Sequence, residues 1–306
     1  MAKRIKILYI AGMGRSGSTL LTNLLGQIPG IIGVGELYEI WERGLIHHQL
    51  CGCSRAFPDC PFWNQVLANA FPRDTLPDPA EMMQIAAQMR RIRRFVTLRS
   101  NANYRHRVQL YMENIIKLYR AIDYVSGTNV IVEESKVPTY AFELIEAKEL
   151  EIYILHLVRD SRAVAYSWTR KRRRPEYPDD NPWMFRHSVA RSTYLWIMWN
   201  TLSEYLGSHM SGRYLRMRYE DMVGDPVTTI QAVLEFLKIP FPDLGLEEIL
   251  VSNKTVHTVW GNPMRFERPI SIRPDFEWKA AMPLKSRLFV GSLTWPFLCR
   301  YGYLSR

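Results

Sequence analysis

The chain has 306 residues, 47% apolar and 23% charged, with 40 Lys plus Arg against 30 Asp plus Glu and a formal net charge of +10. A chain of this size and composition buries a core without staples, and the lack of a fixed-period repeat excludes solenoids and propellers. Four cysteines are too few for a disulfide scaffold, no run approaches the roughly 18 apolar residues of a membrane span, and the opening apolar stretch is too short for a secretory signal. The expectation is a cytoplasmic protein with no stable membrane insertion, whose basic excess meets an anionic partner: nucleic acid, a membrane surface or a phosphorylated cofactor.

In chain order, Ile5–Ala11 is short, apolar and β-rich and reads as a buried strand. Gly12–Gly17 is a glycine-rich turn. Ser18–Gln27 is a helix, with Leu20, Leu21, Leu24 and Leu25 on one face, stopped by Pro29 and Gly30. Glu36–His48 is expected to be helical, Cys51–Pro61 a turn-rich loop, and Phe71–Pro79 a connector. Helices are expected over Ala80–Arg94 and Tyr104–Val125, then a strand at Asn129–Glu133, a helix over Pro138–Ala147, an apolar strand at Glu151–Val158 and a helix over Asp160–Arg170. Pro175–Pro182 reads as a flexible connector and Trp183–His209 as a long helix. Arg213–Arg218 is a strand, Asp225–Leu237 a helix with Pro226 in its first turn, and Ser286–Cys299 a final helix. Strands alternating with helices predict an α/β fold, a parallel sheet flanked by helices in three layers.

Gly12, Gly17, Ser18 and Thr19 nearly match the phosphate-loop pattern G-x-x-x-x-G-K-[ST]. Backbone amides at a helix N-terminus face an anion there, and the helix dipole favours it. The departure is Ser18, where a nucleoside triphosphatase carries the Lys that reaches the β and γ phosphates. A triphosphate is therefore a poor fit, and the loop suits a single phosphate or sulfate, with Arg15 as charged contact and Ser16, Ser18 and Thr19 as hydroxyl donors.

Tyr9–Leu25 resembles the 5′-phosphosulfate loop of sulfotransferases that use 3′-phosphoadenosine-5′-phosphosulfate (PAPS). The second signature of that family is a strand followed by Arg, then Ser eight residues later on a helix; Arg159 and Ser167 match it. Eight residues carry Ser167 about two turns into the helix, at the carboxyl edge of the sheet where such folds bind ligands. Arg218–Pro226 resembles the Tyr-Glu-Asp segment, with Tyr219 near the adenine. The segment Gly261–Phe266 and the stretch Arg273–Lys279 resemble the C-terminal cofactor loop of the branch containing tyrosylprotein and bacterial small-molecule enzymes. The Arg-Lys-Gly triplet of the cytosolic branch is absent. The resemblance implies a single sulfotransferase domain over 1–306, with helical acceptor-side insertions near 37–125 and a connector near 175–182. It implies that Gly14, Arg15, Ser16, Gly17, Ser18 and Thr19 hold the phosphosulfate, that Arg159 and Ser167 hold the 3′-phosphate, and that Tyr219 and Arg265 complete the cofactor site.

Sulfuryl transfer needs a base for the acceptor, cations for the bridging and leaving oxygens, and in-line geometry. Glu36, at the top of a strand expected after the first helix, falls on the position of the base in the resembled branch. Lys136, before x-Pro at the end of a strand, falls on that of the cation, with Arg15 as companion. The implied reaction moves the sulfuryl group of PAPS to a hydroxyl or amine of a small-molecule acceptor, such as a secondary metabolite or carbohydrate, and releases PAP without a metal. Sulfation of a glycan or a protein tyrosine is the alternative acceptor class. A phosphate-loop small-molecule kinase is the alternative chemistry. Nucleic-acid binding has only the net charge and the Arg runs in its favour, with no recognition motif. The acidic residues Glu39, Glu42, Glu133 and Glu134 suit a cationic acceptor.

Cys51, Cys53 and Cys60 are one ligand short of a structural zinc site, which His47 or His48 would have to complete. Their spacing is not a standard zinc spacing, and reduced structural cysteines are the expectation. Arg90–Arg94 and Arg170–Arg174 read as a solvated helix face and a connector, and Trp183, Trp196 and Trp199 as core.

Overall fold

The computed structural model describes residues 4–73, 75–174, 183–240, 248–249 and 254–304. The connector expected at 175–182 lies outside the described residues. The sheet has five strands, β1 (Ile5–Ala11), β2 (Ile31–Gly35), β3 (Val130–Glu133), β4 (Leu150–Val158) and β5 (Tyr214–Arg218), in the order β2-β3-β1-β4-β5. It is the parallel, helix-flanked α/β architecture expected of the alternating pattern. Among the described residues no helix is long and apolar enough to cross a membrane.

The chain divides into two compact units. The first holds Met1–Ile10, Thr19–Tyr153 and Pro242–Ile270. Here β1 and β2 both pair in parallel with β3, with Tyr9 opposite Glu133 and Gly35 opposite Glu133. That register sets the ends of β2 and β3 side by side, and the next residues along each strand are Glu36 and Glu134–Lys136. β2 has no place in the element reading above, except as the strand that Glu36 needs. It has only five residues, and two are glycines, which weakens both strand propensity and periodicity. The glycines are there for packing: a Cβ on Gly33 would lie 2.7 Å from Thr22 Cγ2, and Gly35 (φ 74) sits where a Cβ would be 2.5 Å from the Trp260 carbonyl oxygen.

Helix α1 (Ser18–Gly26) follows the phosphate-type loop as expected. The helix expected over Glu36–His48 is helical but not α: Leu37–Glu39 is a 3₁₀ turn and Ile40–Ile46 a π-helix. An unforeseen helix, α2 (Pro61–Ala70), packs on the long helix α5 (Ala102–Ser126). Helix α5 is capped by Asn101, which accepts from Tyr104 N, and is closed by Gly127 in the left-handed conformation. The single helix expected over Ala80–Arg94 is two, α3 (Pro79–Met89) and α4 (Ile92–Leu98). The break falls at Arg90, whose exposed side chain pairs with the buried Glu39. Helix α6 (Pro138–Glu146) starts on a proline at its first position.

The second unit holds Ala11–Ser18, Ile154–Phe241 and Ser271–Arg306. β4 and β5 pair in parallel from Ile154 opposite Tyr214 to Val158 opposite Arg218. Helix α7 (Ser161–Thr169) is capped by Asp160, which accepts from Arg162 N at 2.9 Å. Helix α8 (Val189–Ser208) starts later than expected, at the Ser188 cap, so Trp183 precedes it and is 40% exposed rather than core. Trp196 is fully buried with Met13, Val158, Val164 and Tyr301, against the C-terminal helix Leu284–Arg300.

His156 on β4 is buried between two fixed partners, Tyr214 Oη at 2.7 Å from Nδ1 and Asn200 Oδ1 at 2.8 Å from Nε2. The Asn200 amide nitrogen donates to the Trp196 carbonyl at 2.7 Å, so its oxygen accepts from Nε2–H, and Nδ1 accepts from the tyrosine hydroxyl. Both bonds are satisfied by the neutral ring. Burial accordingly pushes the His156 imidazole down to about 4 from an ordinary 6.5. The depressed folded value makes this contribution to stability complete above pH 6.5 and lost as the pH falls toward 4. At most it amounts to about 3 kcal/mol. Denaturant unfolding across this window should give a shallower pH slope for His156→Gln than for wild type; equal slopes would assign the acid loss to other groups.

Candidate functional site

In the first unit, the parallel register brings two of the expected catalytic side chains together. Lys136 Nζ donates to Glu36 Oε1 at 3.0 Å and lies 3.7 Å from Glu134 Oε2. It also donates to the Glu134 carbonyl oxygen. The Lys136 side chain is 10% exposed, that of Glu36 18%, and that of Glu134 is fully buried. Burial opposes the ammonium charge, but Glu36 and Glu134 outweigh it and hold Lys136 above its ordinary range. The local chain is built for this. Lys136 is left-handed (φ 62), a conformation worth about 1–3 kcal/mol of strain in a residue with a Cβ, and Val137 returns to extended backbone before Pro138 opens α6. Strain of this kind is held in place by surrounding contacts, and Glu36 and Glu134 are those contacts.

Glu134 is the residue that sequence reasoning assigned to the wrong partner. It is no site for a cationic acceptor: it accepts from the Thr19 hydroxyl at 2.9 and 3.1 Å. The Thr19 oxygen in turn accepts from Asn262 N–H at 3.1 Å. One expected phosphate-loop hydroxyl is thereby tied to the carboxylate beside Lys136. Gly261 closes over this contact, where a Cβ would lie 2.9 Å from Glu134 Oε1. Glu133 is also fully buried; burial pushes its carboxyl up to about 8, although Ser135 donates to it at 2.5 Å.

Arg265, expected to contact a phosphate, is fully buried as a clamp between loops. Its guanidinium donates to the carbonyl oxygens of Thr258 at 3.0 Å and Leu50 at 2.6 Å. A cavity of about 220 Å³ opens beside the 3₁₀ turn after Glu36. Tyr38, Trp41, Met83 and Ala86 give it an apolar wall, and Glu39 and Arg90 a charged one.

In the second unit, the loop after β1 holds three left-handed residues, with φ 114 at Gly12, 74 at Arg15 and 90 at Gly17. Gly12 packs on β4, where a Cβ would be 2.4 Å from the Leu157 carbonyl oxygen, and Gly17 packs under the Tyr219 ring at the same clearance. Trp168 Nε1 donates to the Gly14 carbonyl at 3.3 Å, and the Arg15 guanidinium lies over the Trp168 ring at 4.9 Å and 3.4 Å from Met184 Sδ. Ser16 and Ser18 are buried. Ser16 Oγ has no hydrogen-bond partner among the described residues.

Arg159 sits at the end of β4 and is 5% exposed. It donates to the Arg15 carbonyl at 3.0 Å, pairs with Asp275 at 3.0 Å and stacks on the Tyr219 ring at 4.3 Å. Burial opposes the Asp275 charge, but Arg159 more than offsets it and keeps the carboxyl below its ordinary range. Trp196 Nε1 fixes the Arg159 carbonyl at 3.0 Å. Ser167 is buried on α7. Sequence reasoning did not find Asp275, because nothing in its surroundings marks a partner 116 residues from Arg159.

Removing one member of a buried ion pair leaves the other uncompensated, at a cost of about 3–5 kcal/mol. Lys136→Met should therefore lower the unfolding free energy by that order, and Glu36→Gln in the same chain should recover part of it. Denaturant titration of the single and double variants measures both; no loss in the single variant would show that the pair carries no stability.

A model of the sulfotransferase family matches residues 8–243. No curated protein matches the chain. Among solved structures, the chain is similar to the sulfotransferase domain of the Synechococcus PCC 7002 olefin synthase, at 21% identity over 96% of each chain with a TM-score of 0.48. It is also similar to the sulfotransferase domain of the curacin biosynthetic pathway, at 17% identity over 95% of this chain and 98% of that one, TM-score 0.49. Mouse sulfotransferase SULT7A1, complexed with PAP, is 13% identical over 97% of this chain and 85% of that one, TM-score 0.46. The family match runs from within β1 through the Arg159–Ser167 signature and past Tyr219, well over half of the chain, and the protein belongs to the sulfotransferase family.

Proposed function

We propose that this chain transfers the sulfuryl group of PAPS to a hydroxyl or amine of a small-molecule acceptor and releases PAP. The reading rests on the Glu36–Lys136 pair, a carboxylate and an ammonium 3.0 Å apart at the ends of neighbouring parallel strands. The loop fits the cofactor's anionic end: it leads into the N-terminus of α1, and the buried Ser16 hydroxyl is left without a partner among the described residues. When bound, PAPS supplies an activated sulfuryl group on a stable leaving group.

Each residue then has a task. Gly14, Arg15, Ser16, Gly17, Ser18 and Thr19 hold the phosphosulfate. Arg159, pre-set by Asp275 and the Tyr219 ring, holds the 3′-phosphate with Ser167, and Tyr219 stacks near the base. Arg265 acts at one remove, through the loops it clamps. Glu36 takes the acceptor proton on Oε2, since Oε1 is held by Lys136. The Lys136 ammonium holds Glu36 Oε1 in place and, with Arg15, offsets the charge that builds on the sulfuryl and leaving oxygens. The apolar wall of the cavity at Tyr38 and Trp41, two and five residues after Glu36, favours an acceptor with an aromatic or aliphatic body, which suits a secondary metabolite.

A thermal-shift titration with PAP beside ATP–Mg²⁺ tests the cofactor. At 100 times its Kd, PAP should stabilise the wild type by about 2.7 kcal/mol, and the shift should vanish in Arg159→Ala. With PAPS and a panel of hydroxyl and amine acceptors, Glu36→Gln should keep the PAP shift and lose about 10²–10⁴-fold in turnover. An ATP shift equal to that of PAP, or full turnover in Glu36→Gln, would sink the reading.

A further inference from the structure

Cys51, Cys53 and Cys60 gather on the loop before α2, and His257, 197 residues after Cys60, joins them. Cys60 Sγ lies 3.6 Å from Cys51 Sγ and 3.8 Å from Cys53 Sγ. His257 Nδ1 lies 3.3 Å from Cys60 Sγ and 3.8 Å from Cys51 Sγ. All four ligand atoms fall within 4.8 Å of one another. Zinc held tetrahedrally, with Zn–S near 2.3 Å and Zn–N near 2.0 Å, sets neighbouring ligand atoms about 3.5–3.8 Å apart. A disulfide would need two sulfurs at about 2.05 Å. The cluster has the spacing of ligands around an ion.

The surroundings hold that arrangement. Cys51 and Cys60 are buried, while Cys53 and His257 are half-buried and leave a path for an ion. The Phe62 ring stacks on His257 at 4.9 Å and 19°, which orients Nδ1 toward the thiols. The loop turns tightly between its first two cysteines and the rest, with Cys51 N donating to Arg55 O and Ser54 N to Cys51 O, both at 2.8 Å.

We propose that Cys51, Cys53, Cys60 and His257 form a structural Zn²⁺ site. The three thiols give up their protons to solvent as the ion binds, and nothing is oxidised or reduced. Four protein ligands close the tetrahedron and leave no open position for substrate. The ion joins loop 51–60 to the segment around His257. That segment backs β2: Gly52 N donates to Thr258 O at 3.0 Å, Val259 N to Val34 O at 2.9 Å and Glu36 N to Trp260 O at 3.2 Å. Zinc therefore clamps β2, the strand that leads into Glu36. The metal site stands whether or not Glu36 is the base.

The test is metal analysis of the full chain, purified in reductant without chelator. About one zinc per chain is expected, lost in Cys60→Ser and in His257→Ala and kept in Cys299→Ser. If those two variants fail to fold, the wild type decides alone: stripped of metal and given Co²⁺, it should develop thiolate-to-cobalt charge-transfer bands and the ligand-field bands of a tetrahedral site. A wild type without zinc that also fails to bind Co²⁺ tetrahedrally overturns the proposal. So do iron in place of zinc, a disulfide among the three cysteines by intact mass, or zinc retained in both ligand variants.

Discussion

A lysine ammonium buried between two carboxylates is the constraint around which the first unit is arranged. Lys136 lies against Glu36 and Glu134, and Glu134 is fully buried. Such a cluster is stable only if every charge keeps its partner, because each desolvated ion left alone costs several kcal/mol. The parallel register sets the strand ends level, and the left-handed backbone at Lys136 turns its side chain back onto the pair. Gly35 and Gly261 let backbone approach where a Cβ would collide. Thr19 extends the same network to the start of α1 through its bond to Glu134. The left-handed φ of 62 at Lys136 answers to this electrostatic requirement, while the two glycines of the five-residue β2 answer to packing.

The second unit solves a different problem with a cation. Arg159 is held by a backbone carbonyl, one carboxylate and the face of an aromatic ring. The carbonyl and the ring orient the guanidinium, and Asp275 balances its charge. In the first unit two carboxylates surround the ammonium and fix its position. The roles proposed for Arg159 in binding and for Lys136 in the transfer build on this difference.

The segment from His257 to Arg265 supports these charges from behind. Val259 and Trp260 bond to Val34 and Glu36, Gly261 covers Glu134, and Arg265 draws the Thr258 and Leu50 carbonyls together. The zinc site would pin the same segment at His257. Arg265 illustrates how a residue type points in two directions: a guanidinium near a cofactor loop suggests phosphate, yet here burial gives it to backbone carbonyls.

The parts of this protein legible in its sequence are those set by local chemistry. Glycine spacing marks the loop over Gly12–Gly17, leucine periodicity marks α1, and the strand–Arg159–Ser167 order marks a ligand edge, because turns, caps and helical faces depend on neighbours a few residues away. Glu36 and Lys136 were also legible as single residues. Their pairing was not, since a contact across 100 residues exists only once the register of β2, β3 and β1 is set. The same holds for the pairing of Arg90 with Glu39, 51 residues before it, and for His257, which completes a cysteine cluster that looks one ligand short in the chain. The sequence by itself determined the elements and the kinds of charge at their ends. Only the tertiary structure decided which charges meet, because partners are chosen by strand register and burial, and neither is a local property.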